Sequence, residues 1–233
     1  MLIFAGVESV LEETFKKKIQ NTQQKQCVLL IDEVKIRPSV SYSGGVLSGM
    51  AKNEPDSKAT SMMCIMMRCL HGGPSLMISV TPVHSLTAQY QYDRVVEMAG
   101  VVERSGGVVI GSITDNHKVN QAYCKLFTQK NKATFEAKHP LDDQRPWYLL
   151  YDSVHLLKCI RNNWISEKCK KMSLDKIVVG DFADVISLYK DEENSILKQT
   201  PLTRSSVFPS RLQLQNVKHV LCVFNEKVFY FSF

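Results

Sequence analysis

Residues 27–33 read Cys-Val-Leu-Leu-Ile-Asp-Glu, a continuous apolar run that ends in two carboxylates. Five consecutive apolar residues bounded by polar ones are typical of a strand that is buried on both faces in the middle of a sheet. We therefore predict a central strand over Cys27–Ile31. Its carboxyl end then presents Asp32 and Glu33 at the edge of the sheet.

The segments on either side of this strand have simpler patterns. Residues 1–26 combine apolar residues at helical spacing with a Lys/Gln-rich stretch, which predicts a lead-in helix and an exposed connector outside the core. After the strand, Pro38 and Gly44-Gly45 indicate a turn. We expect residues 46–50 to return as an antiparallel strand, giving a hairpin.

Strands and helices then alternate along the chain. The methionines within residues 58–70 indicate core filling, and the remaining patterns predict strands at 76–80, 108–113 and 147–151 and helices at 85–104, 117–129 and 153–164. This order predicts an α/β sheet with an initial hairpin and later crossover helices. Beyond a boundary near residue 165 the pattern is helical, at 181–193 and 209–229.

Composition excludes several classes of protein. The chain of 233 residues is 44% apolar, and no stretch approaches the roughly 20 apolar residues of a membrane-spanning helix, so we expect a globular protein without membrane contact. Seven cysteines form no Cys-x-x-Cys pair, which argues against a zinc ribbon. The apolar start lacks a preceding basic residue, so a location inside the cell is expected.

Basic residues are concentrated in one part of the chain. The net charge is +6, and residues 155–176 alone carry a net +4. A solvated helix face and a surface that contacts nucleic-acid or nucleotide phosphates both fit this pattern. The candidate phosphate contacts are Lys158, Arg161, Lys168, Lys170 and Lys171.

Three aspartates follow three of the predicted strands: Asp32, Asp115 and Asp152. Side chains at the carboxyl ends of neighbouring strands can converge in one crevice, and converging carboxylates are the ligands that Mg²⁺ prefers. Each aspartate could instead cap a helix, which is weakest for Asp32 because a hairpin follows it, and which stays open for Asp152. Alternation along the strand points Glu33 away from Asp32, so we assign the metal to Asp32.

Asp152 and His155 form an Asp-x-x-His pair on the first turn of a predicted helix, where residues three apart are neighbours. A helix cap with a hydrogen-bonded histidine explains this pair. A zinc site would require further ligands, and the sequence offers no third one.

Five motifs in order resemble the P-element-type transposases, the group often fused to a zinc-binding THAP domain. They are residues 30–36 (LIDEVKI), 41–45 (SYSGG), 71–74 (HGGP), 114–121 (TDNHKVNQ) and 150–164 (LYDSVHLLKCIRNNW), with 202–210 and 217–227 similar to the family's continuation. The resemblance implies an RNase H-like mixed sheet with flanking helices over residues 27–164. It also implies the start of an α-helical GTP-binding insertion over residues 165–233.

The catalytic set implied by the resemblance is two aspartates and a glutamate. Asp32 matches the first aspartate and Asp115 the second, whereas the glutamate matches no position, so the chain is expected to be a fragment that is inactive alone. By resemblance the cofactors are Mg²⁺ and GTP, the partner is DNA, the full-length family forms homo-oligomers, and the location is the nucleus. The chain contains no Gly-x-x-x-x-Gly-Lys-Ser/Thr phosphate loop that would independently indicate GTP.

Two functions follow from these patterns. The first is Mg²⁺-dependent DNA strand cleavage and transfer, with Asp32 and Asp115 as metal ligands. The second is a non-catalytic nucleic-acid or protein interaction module, left by a degenerate or domesticated element, which the unmatched glutamate favours.

Overall fold

A computed structural model describes residues 13, 16, 17, 19, 25–70, 72–73, 75–128, 135–166, 169–174 and 177–232. The chain forms two compact units, Met1–Asp152 and Ser153–Phe233, here called the first and second units. The predicted boundary near residue 165 lies too late, because the helix that begins at Ser153 belongs to the second unit. Most of the lead-in predicted at residues 1–26 lies outside the described residues.

The first unit contains a mixed sheet flanked by helices. Its described elements are β1 (Gln26–Lys35), β2 (Ser41–Ser43), β3 (Val46–Ser48), β4 (Ser61–Cys69), β5 (Ser75–Val83), α1 (Ala88–Arg104), β6 (Val108–Thr114), α2 (Lys118–Thr128), β7 (Glu136–His139) and β8 (Asp142–Tyr151). Six of the described strands form one sheet in the order β5-β4-β1-β6-β8-β7. The predicted α/β sheet, with Cys27–Ile31 in a central strand, is confirmed.

Strand β1 has its central position because it is apolar on both faces. Cys27, Val28, Leu29 and Ile31 are all buried, and β1 pairs antiparallel with β4 on one side and parallel with β6 on the other. Strand β4 alternates buried and half-buried residues and contributes Met63, Ile65 and Met67 to the core. Two of the four methionines of residues 58–70, Met63 and Met67, are therefore core residues as predicted, whereas Met62 and Met66 are half-buried.

The predicted hairpin between the strand at Cys27–Ile31 and residues 46–50 is wrong. Residues 46–48 pair with 41–43 in a separate two-stranded ribbon, and β1 pairs instead with β4. The turn of this ribbon is Gly44-Gly45, with φ of 57° and 80°, and a two-residue hairpin turn favours glycine at such positions. The turn residues therefore indicated a hairpin without identifying the neighbour of β1.

Helix α1 begins after Thr87, whose side chain accepts a hydrogen bond from the Tyr90 backbone N–H at 3.3 Å. Its buried face includes Val95, Met98 and Val102, as the apolar spacing predicted. Ile19, from the predicted lead-in, is only 1% exposed and belongs to the same core cluster. The expectation that this segment lies outside the core is wrong at this position, because Ile19 is buried with the other apolar residues of the cluster.

Strands β7 and β8 occupy much of the stretch between the predicted helix at 117–129 and the predicted strand at 147–151. They pair antiparallel, and Pro146 lies within β8 opposite Lys138. The hairpin buries His139, whose Nε2–H donates to the Val109 carbonyl at 3.1 Å while Nδ1 accepts from the Leu141 N–H at 3.2 Å. Both ring nitrogens are thus satisfied by the neutral imidazole.

We predict that the stability of the first unit falls with acidification through His139. Burial lowers its pKa, and the charge of Arg145 acts in the same direction against the weaker opposing effects of Glu103 and Val109. The unfolded histidine, with a pKa of about 6.5, therefore takes up a proton more readily than the folded one, and the stability present above that pH is lost as the pH falls. Urea unfolding between about pH 7.5 and about pH 5.5 measures this loss.

The comparison for that experiment is His139→Gln, which does not titrate in this range. Wild type should lose more unfolding free energy than the variant over the same interval. Equal losses would contradict the assignment.

The second unit is mostly helical and has its own core. Its described elements are α3 (Ser153–Ile165), β9 (Lys171–Leu174), β10 (Ile177–Asp181), α4 (Phe182–Glu193), α5 (Arg204–Val207), a 3-10 turn (Gln213–Gln215), α6 (Val217–Val223) and α7 (Glu226–Ser232). The core cluster includes Trp164, Phe182 and Val185. No helix among the described residues of the chain combines the length and apolar character needed to cross a membrane.

Two predictions for this unit are corrected by the structure. The ribbon formed by β9 and β10 was not predicted. The helix predicted over residues 209–229 is interrupted at Asn216 and Asn225, whose side chains accept hydrogen bonds from Lys218 N–H at 2.9 Å and Lys227 N–H at 3.1 Å. Asparagine side chains that bond the backbone two residues on favour a new helix start over helix continuation.

Candidate active site

Asp32 and Asp115 lie where two parallel strands of the first unit separate. The last pair between β1 and β6 is Leu30 with Ile113, whereas β1 continues to pair with β4 as far as Lys35. Each aspartate follows its member of that last pair by two residues. Equal offsets on parallel neighbouring strands place the two residues at the same end of the sheet, as the sequence predicted for these two.

A cavity of about 280 Å³ lies at this separation point. Residues of β1, α1, α2 and the segment between β6 and α2 surround it, and both aspartates border it. The polar residues that border it are Asp32, Glu33, Lys35, Gln91, Asp115, His117 and Asn120. The fold therefore brings the two predicted metal ligands, Asp32 and Asp115, to one cavity, which a lysine, a histidine and two side-chain amides also border.

Each aspartate has one carboxylate oxygen engaged by the protein. Asp32 Oδ1 accepts from the Glu33 N–H at 2.8 Å. Asp115 Oδ1 accepts from the His117 N–H at 2.9 Å and from Asn120 Nδ2 at 2.6 Å. No donor among the described residues bonds Oδ2 of either aspartate, so each carboxylate keeps one oxygen for a ligand. Two such oxygens fit a hard divalent cation such as Mg²⁺.

Glu33 borders the same cavity, although strand alternation pointed it away from Asp32. Its Oε1 accepts from Lys35 Nζ at 2.7 Å and from Ser61 Oγ at 2.5 Å. Partial burial alone would raise the pKa of Glu33, but these hydrogen bonds and the charges of Lys35 and His117 outweigh it and lower the pKa below its ordinary value. Glu33 is thus an ionised carboxylate held by β1 and β4.

The electrostatic effect of Asp32 also reaches the neighbouring strand. Cys64 is its cross-strand partner on β4. Burial raises the pKa of the Cys64 thiol, and the negative charge of Asp32 acts in the same direction. Cys64 is therefore a protonated thiol beside the site at neutral pH.

Gln91, His117 and Asn120 were not singled out from the sequence. Gln91 is fully buried on α1, where the other buried positions are apolar or small, and a polar residue in a buried helical stripe is the pattern that could have identified it. Asn120 follows Asp115 by five residues, within the motif of residues 114–121. Because Asn120 lies in the first turn of a helix, close in sequence to Asp115, it could have been identified as a hydrogen-bond partner of that carboxylate.

Asp152 does not border the cavity. It follows β8, its backbone N–H donates to the Thr114 carbonyl at 2.8 Å, and helix α3 begins at the next residue. Its position is that of a helix cap, and the role of His155 stays a prediction. Among the described residues, no three His, Cys, Asp or Glu side chains are grouped so as to hold a metal ion.

The basic residues of the second unit differ in exposure. Lys170 and Lys171 are exposed and Lys158 is half-buried, whereas Lys168 lies outside the described residues. Arg161 is fully buried, and its Nη2 donates to the Leu214 carbonyl at 3.1 Å. The assignment of Arg161 as a phosphate contact is therefore wrong for this fold, because the side chain packs inside the unit.

The buried face of α3 does not follow the spacing of its apolar residues. Ile160 lies one helical turn before the buried Trp164, but it is 43% exposed. Arg161 is buried with Trp164 instead. Packing of the unit, and not apolar spacing alone, therefore decides which face of this short helix is buried.

Comparisons with known proteins bear on both the fold and the site. Residues 5–128 match the family described as TNP-like, RNase H N-terminal domain. The chain also resembles the solved structure of the Drosophila P element transposase strand transfer complex, with a TM-score of 0.73 and 15% identity over 97% of this chain. That match covers 47% of the other chain, so the present chain spans about half of its length. No curated protein sequence matches. The six-stranded mixed sheet is therefore an RNase H-like transposase fold.

Proposed function

Because the chain belongs to the TNP-like RNase H N-terminal domain family, we propose that it supplies Asp32 and Asp115 to a Mg²⁺-dependent site that cleaves DNA strands and joins them to target DNA. The family match confirms the resemblance that the five motifs indicated. The observation that carries the proposal is the meeting of these two aspartates at one cavity, each with a carboxylate oxygen that the described residues leave available.

The side chains around the cavity have different roles in this proposal. Asp32 and Asp115 would hold the cation, and bound Mg²⁺ would supply activation of the attacking oxygen and stabilisation of the leaving one in phosphoryl transfer. Lys35 and His117 border the same cavity and would orient a phosphate by charge and hydrogen bonding. The backbone N–H groups of Glu33 and His117 fix the carboxylates before a substrate arrives.

The catalytic set needs a third carboxylate, and the family's glutamate matches no position in residues 1–233. We therefore expect residues 1–233 alone to bind metal and DNA and to cleave poorly. DNA is the proposed substrate, with the exposed Lys170 and Lys171 among its phosphate contacts. A nuclear location and assembly into homo-oligomers accompany this proposal by family resemblance.

GTP binding by the second unit is proposed by resemblance alone. The sequence has no phosphate loop, and the basic residue predicted inside α3, Arg161, is buried.

The test of the catalytic proposal joins residues 1–233 to a carboxy-terminal segment that supplies the family's glutamate. Incubated with labelled duplex DNA, this protein should nick the DNA in the presence of Mg²⁺ and stop when the metal is chelated. The unextended chain is the matched control. An extended protein that folds, binds DNA and leaves it intact would contradict the proposal.

The alternative is a non-catalytic nucleic-acid or protein interaction module. It is favoured by one observation, that no three His, Cys, Asp or Glu side chains among the described residues are grouped so as to hold a metal ion. Such a module would bind duplex DNA through phosphates, so its affinity would fall steeply with salt and depend little on sequence. A fluorescence titration at two salt concentrations, run beside the cleavage assay, separates binding without cleavage from no binding.

A further inference from the structure

A chain of side-chain amides connects Asp115 to the interior of the first unit. Asn120 Nδ2 donates to Asp115 Oδ1 at 2.6 Å, and Gln91 Nε2 donates to Asn120 Oδ1 at 2.7 Å. The two bonds run in one direction, from α1 through α2 to the carboxylate. All three side chains border the 280 Å³ cavity.

Each hydrogen bond orients the group that accepts it: Gln91 orients the amide of Asn120, and Asn120 orients the carboxylate of Asp115. The Gln91 bond occupies the carbonyl oxygen of Asn120, so the amide of Asn120 must present its Nδ2–H₂ end to Asp115. Asn120 and the His117 backbone N–H then both engage Oδ1 of Asp115. The carboxylate is held in one rotation, with Oδ2 left for a ligand.

Stability alone does not explain Gln91. It is fully buried on α1, where the other buried positions are apolar or small, and its Oε1 has no hydrogen-bond partner among the described residues. A buried amide with one end unsatisfied is destabilising compared with an apolar side chain of the same shape. A polar residue at this position is therefore better explained by what it does for Asn120 and by its place beside the cavity.

We propose that Gln91 and Asn120 are positioning residues that hold Asp115 in the orientation that binds a divalent cation. This inference rests on the proposed function, since it concerns the same metal site. Groups that orient metal ligands by hydrogen bonding commonly change metal affinity by about 10–100-fold when they are replaced.

The experiment is a Mn²⁺ titration of the full 233-residue chain, with free Mn²⁺ followed by electron paramagnetic resonance. The variants are Asn120→Ala, Gln91→Met and the double variant. Asn120→Ala should bind Mn²⁺ about tenfold more weakly, and Gln91→Met should bind more weakly than wild type. Because Gln91 acts through Asn120, the double variant should be no weaker than Asn120→Ala alone.

The control is Gln121→Ala, since Gln121 is the next residue on α2, is exposed, and its side chain bonds only Asn116 among the described residues. It should bind Mn²⁺ like wild type. Circular dichroism melting of every variant reports folding separately from metal affinity. Asn120 is half-buried and alanine favours helix, so Asn120→Ala decides the question even if Gln91→Met does not fold.

The outcomes separate this inference from the proposed function. If wild type binds Mn²⁺ and folded Asn120→Ala binds it equally well, the positioning role is wrong and the metal site stands. If the losses of Mn²⁺ affinity in the two single variants add up in the double variant, the proposal is also contradicted, because Gln91 would then act independently of Asn120. If wild type does not bind Mn²⁺, the metal site fails and the positioning role fails with it.

Discussion

Asparagine at position 32 or 115 is expected to remove most of the affinity of this chain for divalent cations. Asn keeps the shape of Asp and can still accept the backbone bonds made to Oδ1, but it lacks the charge that a hard cation requires. Replacing groups that merely support metal ligands costs about 10–100-fold in affinity, so loss of a ligand itself should cost about a hundredfold or more. The Mn²⁺ titration measures this directly.

Stability provides an independent check on the same variants. Asn has nearly the shape of Asp, and its amide oxygen can accept the backbone N–H bonds that Oδ1 of Asp32 and of Asp115 accepts. Asp32→Asn and Asp115→Asn should therefore melt close to the wild-type temperature while binding metal poorly. Asp93→Asn, at an exposed position of α1, is the matched control and should leave Mn²⁺ affinity unchanged. Wild-type affinity in a folded Asp32→Asn or Asp115→Asn protein would contradict the site.

Alanine at position 111 is expected to destabilise the first unit by about 2–4 kcal/mol. Gly111 lies in β6 opposite Tyr148 of β8. A Cβ on Gly111 would come within 2.1 Å of the Tyr148 carbonyl oxygen and 2.8 Å of its carbonyl carbon. These are backbone atoms of a neighbouring strand, so the two strands must separate to accommodate the methyl group.

Gly100→Ala is the comparison for this prediction. Its Cβ would meet the Arg104 guanidinium at 3.2 Å, which is the end of a flexible side chain, and alanine favours the helical backbone by about 1 kcal/mol over glycine. Urea unfolding should show Gly111→Ala strongly destabilised and Gly100→Ala unchanged or stabilised. A Gly111→Ala protein as stable as wild type would show that β6 and β8 are not packed as described.

Some of the site was accessible from the sequence because it depends on local patterns. The apolar run at Cys27–Ile31 predicts a central strand through burial on both faces, and the run at 108–113 predicts a second strand. Asp32 follows the first run directly, and Asp115 follows the second after Thr114. Strand ends border one crevice in an α/β sheet, so the meeting of Asp32 and Asp115 was predicted, although the same reasoning included Asp152, which does not border the cavity.

The remainder depends on contacts between residues that are distant along the chain. Gln91 and Asn120 are 29 residues apart, and nothing in the sequence near either residue indicates that they bond. The same holds for Arg161, whose partner Leu214 is 53 residues away, and for Glu33 with Ser61 across β1 and β4.

The sequence by itself determined the central strand, a second apolar strand and the two aspartates that follow them, since apolar runs and the residues that end them are local properties. Tertiary structure alone decided that β4 pairs with β1, that Arg161 is buried, and that Gln91 and Asn120 hold Asp115. Strand partners and buried hydrogen bonds are selected by packing of the whole unit. Local propensity does not contain that information, because the groups that compete for each contact come from separate parts of the chain.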